Sequence, residues 1–202
     1  MPKVLKSIAS HKLVELINGG AVGVIPTDTV YGLVARADNA RAIAKMYSVK
    51  ERPSQPGTII GASIGQFEAL GFPYDTLAVA NHYWPASLSV VIDATNVKKY
   101  LKRDRGSLPV RIPDSPELLE ILEKTGPLMT TSANHPGEPT STTVAMAKQY
   151  FGDEVDFYVD GGDLSDRLPS TIIGISPSGL IEVYRHGAVE IDTSSRGSSH
   201  RS

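Results

Sequence analysis

A mixed α/β fold, with a mixed β-sheet covered by helices, is predicted by two features of the sequence. Short apolar strands alternate with amphipathic helical segments along most of the 202 residues, the pattern of a sheet layered with helices. Late in the chain, two apolar runs flank Ser176-Pro177-Ser178-Gly179, a turn that closes them into a hairpin. No internal repeat and no linker divides the chain, so one catalytic domain is expected over residues 1–192. Residues 193–202 hold no apolar side chain and are expected to form a disordered tail.

Ser10 is placed to cap a first helix whose Leu13, Leu16 and Ile17 share a face, and Gly19-Gly20 ends it. Ala21 to Ile25 then reads as a buried strand stopped by Pro26, followed by the loop Thr27-Asp28-Thr29 and a second strand from Val30 to Val34. Asn39 starts a helix carrying Ile43, Met46 and Tyr47, which must finish near Lys50-Glu51-Arg52-Pro53 because proline restricts the residue before it. Thr58 to Ile60 is a short strand and Ile64 to Leu70 a short helix. Asp75 is expected to cap a helix reaching Trp84, where Pro85 closes it.

Leu88 to Ile92 and Leu108 to Ile112 are strands, separated by a basic stretch that reads as a solvated loop or a contact for RNA phosphates. Its cations are Lys98, Lys99, Lys102, Arg103 and Arg105. Ser115-Pro116 opens a helix with Leu118, Leu119, Ile121 and Leu122. Leu128 to Thr131 is a strand running into the turn-rich Ser132-Ala133-Asn134-His135-Pro136-Gly137, and Ser141 is placed to cap a helix to Tyr150. Val155 to Val159 is a strand, and Ser170 to Ile175 with Leu180 to Arg185 forms the hairpin.

Composition excludes several chemistries. The net charge of -2 gives no global attraction to nucleic acid or an acidic membrane, so an anion must be held by a local cluster. Cysteine is absent, which removes disulfides, thiolate nucleophiles and cysteine-held zinc. No apolar run has the length to span a bilayer, and Met1 to Ser10 lacks a signal-peptide core, so a cytoplasmic protein without membrane attachment is expected. The histidines show no metal-site spacing, and no Walker-type loop is present.

Two cations at Lys50 and Arg52 repel unless an anion lies between them, although a helix end also favours exposed cations. Thr131, Ser132 and Asn134 bring hydroxyls and an amide to a strand end, groups that orient phosphates or simply build a turn. Arg111 stands between Val110 and Ile112 in a strand, where a buried guanidinium needs a partner and an edge position would leave it exposed. Thr29 and Tyr31 offer hydroxyls to a small polar substrate or to the turn after the first strand. Arg185 ends the last strand with Gly187 behind it, within reach of a phosphate or of solvent.

Taken in order, these segments resemble the YrdC-like family of L-threonylcarbamoyladenylate synthases, of the short type without an added C-terminal domain. The likeness spans nearly the whole chain. It rests on Pro26-Thr27-Asp28-Thr29-Val30-Tyr31-Gly32-Leu33, Lys50-Glu51-Arg52-Pro53, Trp84-Pro85, Val110-Arg111-Ile112-Pro113, Thr131 to Gly137, and Ser170-Thr171-Ile172 before Arg185-His186-Gly187. The family's Lys-x-Arg and Ser-x-Asn signatures are met by Lys50, Arg52, Ser132 and Asn134.

The resemblance implies a twisted open sheet and helices around a positively lined cavity that binds ATP with magnesium, L-threonine and bicarbonate. It assigns Lys50, Arg52, Ser132 and Asn134 to catalysis and to ATP, with Ser141 and Arg185 near the nucleotide. Thr29, Tyr31, Arg111, Thr131 and Ser170 are the expected contacts for threonine and bicarbonate, and magnesium is expected to ride on the ATP phosphates without dedicated protein ligands. The implied product, threonylcarbamoyl-AMP, passes to proteins that transfer the group to tRNA, and a direct tRNA contact is a further expectation. An RNA-binding module without catalysis and a carbamoyl-transfer domain of related fold are the alternatives.

The chain departs from the family pattern in three places. Ala86-Ser87-Leu88-Ser89 replaces Gly-Pro-hydrophobic-Thr, Asp114 stands where histidine is common, and Gln55-Pro56-Gly57-Thr58 replaces a Pro-Leu run.

Overall fold

Ten short strands and seven α-helices form among the residues described by the computed structural model, which are 1–51 and 56–191. Arg52, the departure at Gln55, the end of the expected domain at residue 192 and the expected tail 193–202 lie outside the described residues.

In chain order the elements begin with β1 (Lys3–Leu5), α1 (His11–Asn18), β2 (Gly23–Pro26), β3 (Tyr31–Arg36), α2 (Ala40–Val49) and β4 (Thr58–Ile60). They continue with α3 (Ile64–Ala69), α4 (Tyr74–Ala80), β5 (Leu88–Asp93), α5 (Lys99–Lys102), β6 (Ser107–Arg111) and α6 (Pro116–Thr125). The last are β7 (Leu128–Ser132), α7 (Val144–Phe151), β8 (Phe157–Val159), β9 (Thr171–Ile175) and β10 (Ile181–Arg185). All ten strands join one sheet in the order β1-β8-β2-β3-β7-β4-β6-β5-β9-β10. Parallel pairs (β1 with β8, β2 with β8, β4 with β6, β5 with β9) mix with antiparallel ones, as the alternating pattern and the late hairpin predict.

Side-chain alternation along the strands builds a core on each face of the sheet. Val24, Leu33, Ile59 and Met129 belong to the larger cluster with α2, α3, α4 and α7, whereas their neighbours Ile25, Val34, Ile60 and Leu128 pack with α1 and α6. This two-sided burial explains why the central strands are continuously apolar. The helices hold their places by local chemistry. Asn39 accepts from the backbone N–H of Arg41 and Ala42 at 3.1 Å each, and Ser115 accepts from Leu118 at 3.3 Å with Pro116 in the first turn.

Four expectations need correction. Asp75 does not cap α4; it sits in the first turn, where its charge favours the helix dipole, and Pro73 occupies the cap. That helix stops at Ala80, and a 3₁₀ turn over Asn81–Tyr83 completes the path to Trp84. Ser141 is not a cap either: Thr143 takes that role by accepting from Met146 N–H, and the helix starts at Val144. Within the basic stretch, Lys99–Lys102 forms a single helical turn, and the edge strand β1 has no counterpart in the apolar pattern because Val4 is exposed.

Phe67 of α3 is fully buried and meets the rings of Phe72 and Trp84 at centroid distances of 6.4 and 5.9 Å. Truncation here leaves a cavity in the larger core. Phe67→Ala is expected to cost about 3–5 kcal/mol, read as a lower urea midpoint with an unchanged slope.

Candidate active site

The site forms where neighbouring strands end together. Gly32 lies opposite Ser132 across the antiparallel β3–β7 pair, and Pro26 lies opposite Tyr31 across β2–β3. The loop Thr27-Asp28-Thr29 and the turn after β7 therefore emerge side by side. Between them and the start of β9 lies a cavity of about 210 Å³, lined by Thr29, Tyr31, Thr130, Thr131, Ser132, Arg111, Ser170 and Arg185 among others. That volume is below the roughly 300–1,000 Å³ of pockets that enclose drug-sized ligands, so it suits a small molecule rather than a whole nucleotide.

Lys50 lies under this turn. It caps the C-terminal end of α2 and is only 2% exposed. Its ammonium donates to the carbonyl oxygens of Ser132 and Asn134, both at 2.5 Å, and to Asn134 Oδ1 at 2.8 Å. The Lys-x-Arg and Ser-x-Asn signatures thus converge through Lys50, although 82 residues separate it from Ser132 in sequence.

The hydrogen bonds decide which groups remain available. Asn134 is committed on both sides: Oδ1 also accepts from Ser132 Oγ at 2.6 Å, and Nδ2 donates to the Glu138 carbonyl at 2.6 Å. Ser141, 1% exposed, donates to the Ala133 carbonyl at 2.5 Å. Neither Asn134 nor Ser141 lines the cavity, and the bonds each makes here shape the turn. His135 is turned away as well, its Nε2 donating to the Tyr150 carbonyl on α7 at 2.9 Å. Ser132 is the signature residue on the cavity wall, and its proton is already given to Asn134. What it offers is lone pairs, which suit a hard cation or a donor rather than a phosphate oxygen.

Tyr31 borders the cavity, but its hydroxyl donates to the Gly162 carbonyl and accepts from Gly161 N–H, each at 2.9 Å. Burial raises its pKa, so it stays a neutral phenol pinning the loop after β8. Arg167 from the same loop donates to the Thr27 carbonyl at 2.9 Å. Thr29 Oγ1 lies 3.0 Å from Thr27 Oγ1, which in turn donates to the Val30 carbonyl. Gly57 meets β7 so closely that an added Cβ would stand 2.1 Å from the Thr130 carbonyl oxygen.

Arg111 is buried, as its strand position implied, and its partner is Asp28: Nη2 donates to Oδ1 at 3.0 Å, with the side chains 4% and 1% exposed. Desolvation lowers the arginine's pKa and the Asp28 charge opposes that fall. Its Nε is buried without a partner among the described residues. Arg185 donates through Nε and Nη2 to the Ser170 carbonyl and through Nη2 to Ser170 Oγ at 3.0 Å, while Ser170 Oγ also meets Ser89 Oγ at 3.0 Å. Burial, and then the nearby charge of Arg111, lower its pKa. Asp28 is the partner of a cavity arginine that sequence reading missed; the need of Arg111 for a carboxylate was the signal that could have found it.

The basic stretch takes no part in the cavity. Lys102 donates to the Thr95 carbonyl, Lys99 pairs with Asp104, and Arg103 stacks 4.0 Å over the Tyr47 ring.

A mixed sheet whose adjacent strand ends enclose a cavity of hydroxyls and guanidiniums defines an α/β protein with a small polar cavity at its strand ends. Comparison with known proteins narrows this. The chain belongs to the Sua5/YciO/YrdC family, whose model, described as "Telomere recombination", matches residues 15–187. It is 30% identical to the threonylcarbamoyl-AMP synthase of Pseudomonas putida over 91% of this chain and 100% of that protein, and 31% identical to that of Pseudoalteromonas translucida over 76% and 86%. Among solved structures, P. abyssi Sua5 complexed with L-threonine superposes with a TM-score of 0.78 at 26% identity, covering 93% of this chain. The chain spans 57% of that longer protein. E. coli YciO shares the fold, with a TM-score of 0.79 at 21% identity over 96% of this chain and 99% of its own.

Because the atom facing Gly57 is backbone, side-chain adjustment cannot relieve an added methyl there. Gly57→Ala is expected to destabilise the protein by about 1–3 kcal/mol in urea unfolding, and to weaken binding of the small substrate by deforming the β4–β7 wall.

Proposed function

We propose that the chain is a threonylcarbamoyl-AMP synthase, forming threonylcarbamoyl-AMP and pyrophosphate from L-threonine, bicarbonate and ATP for tRNA modification in the cytoplasm. The observation that carries this reading is the small cavity with Arg111, Arg185, Ser170 and Thr29 on its wall, opening beside Ser132 above the buried Lys50. The names of its relatives and the threonine complex of the Sua5 structure support the same reading.

In this mechanism the threonine carboxylate lies against the Arg111 and Arg185 guanidiniums, and its hydroxyl and amine face Thr29, Thr131 and Ser170. The amine, having lost its extra proton, attacks the bicarbonate carbon; the C–N bond forms as a C–O bond breaks and water leaves, giving a carbamate. A carbamate oxygen then attacks the α-phosphorus of ATP as the bond to the leaving pyrophosphate breaks, so one P–O bond forms and one is lost. Lys50, with Arg52, supplies positive potential where phosphoryl charge develops.

Ser132 Oγ donates to Asn134 Oδ1 and accepts from Lys50 Nζ at 3.4 Å, which leaves one neutral oxygen lone pair for magnesium carried by the triphosphate. When bound, magnesium would neutralise charge on the leaving pyrophosphate. Among the described residues no helix is long and apolar enough to cross a membrane.

Pyrophosphate release from ATP is expected to require both L-threonine and bicarbonate; release independent of threonine would overturn the proposal, and dependence on carbamoyl phosphate instead would identify the related transfer activity. Lys50→Ala is expected to lower kcat by about 10²–10³-fold while far-UV circular dichroism stays that of the parent.

A further inference from the structure

We infer that Asp28 tunes which anion the cavity accepts: by pairing with Arg111 it cancels one positive charge of the guanidinium wall, which favours a single carboxylate over a phosphate dianion. The inference rests on the cavity being an amino-acid site, and it concerns a residue that does not line that cavity.

The charges can be counted from the geometry. Among the described residues lining the cavity, the charged side chains are Arg111 and Arg185. Arg185 is held by the neutral carbonyl and hydroxyl of Ser170, which leave its charge uncancelled. Arg111 is neutralised from behind by Asp28 at 3.0 Å, in a pair almost wholly removed from solvent. Lys50 lies behind Ser132 and is not on this wall. Asp28 cancels the charge of Arg111, while Arg185 on the wall, which is exposed, and Lys50 behind it keep theirs. Removing the Asp28 carboxylate adds one positive charge to the wall, and a dianion gains more from that than the single carboxylate of a zwitterionic amino acid.

Asp28 is itself held in place. Its Oδ2 accepts from Ser87 Oγ at 3.0 Å and from the Asp114 N–H at 3.4 Å, leaving Oδ1 for Arg111. Both of those partners come from positions where the chain departs from the pattern of its family, Ser87 in the segment after Trp84-Pro85 and Asp114 after Pro113. Ser87 thus acts on the cavity at second hand: its hydroxyl fixes the carboxylate that fixes the guanidinium. Asp28 and Ser87 are positioning residues, and their effect should appear in which ligand binds rather than only in whether the protein folds.

The test is isothermal titration of L-threonine and, separately, of inorganic phosphate at a pH where phosphate is a dianion, into the parent, Asp28→Asn, Ser87→Ala and Ser87→Thr. The parent is expected to prefer threonine. Asp28→Asn should move the threonine-to-phosphate affinity ratio toward phosphate on the order of tenfold or more. Ser87→Ala should move it less in the same direction, and Ser87→Thr, which keeps the hydroxyl, should restore it. If Asp28→Asn does not fold, the Ser87 pair decides. A ratio unchanged in folded variants, with threonine binding intact in the parent, overturns the inference alone. A parent that binds no amino acid shows that the functional reading has failed, and the inference falls with it.

Discussion

The ammonium of Lys50 joins the end of α2 to the turn after β7, and the rest of the site is arranged around that contact. A cation buried to 2% exposure is stable only while its acceptors stay in place. Here those acceptors are the carbonyls of Ser132 and Asn134 and the Asn134 amide oxygen. The same bonds therefore set the path of residues 132–134, the direction of the Ser132 hydroxyl and the rim of the cavity. Ser141 and His135 reinforce the turn from its far side, through the Ala133 carbonyl and through α7.

Several polar groups expected as ligand contacts from sequence also hold the structure together. Asn134, Ser141 and Tyr31 each have their hydrogen-bonding groups answered by backbone or neighbouring side chains. This follows from burial: a hydroxyl or amide inside the fold must find a partner, and the nearest is backbone left unpaired at a strand end. The cavity wall carries Ser132, Thr29, Thr131, Ser170 and the two arginines.

Much of the architecture was legible before the structure. The alternation of elements, the Asn39 and Ser115 caps, the strand Thr58–Ile60 and the final hairpin all follow from local rules acting on nearby residues. The failures share a cause. Asp75 and Ser141 carry good capping side chains but lie a residue or more from where packing starts the helix, so Pro73 and Thr143 hold the caps. β1 owes its existence to pairing with β8, a partner more than 150 residues away, and its own pattern is too short and exposed to announce it. In the site, spacing left Lys50 and Ser132 unconnected; the family resemblance joined them, and Lys50 Nζ does meet Ser132. Spacing could not say that Arg111 would find Asp28, since that pair joins a loop and a strand separated by 83 positions.

The pairing of Gly32 with Ser132 carries a consequence for how such a chain can diverge. Since strand side chains alternate, losing or gaining one residue inside β3 or β7 would exchange the two faces and turn the hydroxyl of Ser132 into the opposite core. Point changes around the rim leave that geometry untouched. Descendants of this sequence are thus free to alter ligand preference one letter at a time, while length variation must be confined to the segments outside the central ribbon.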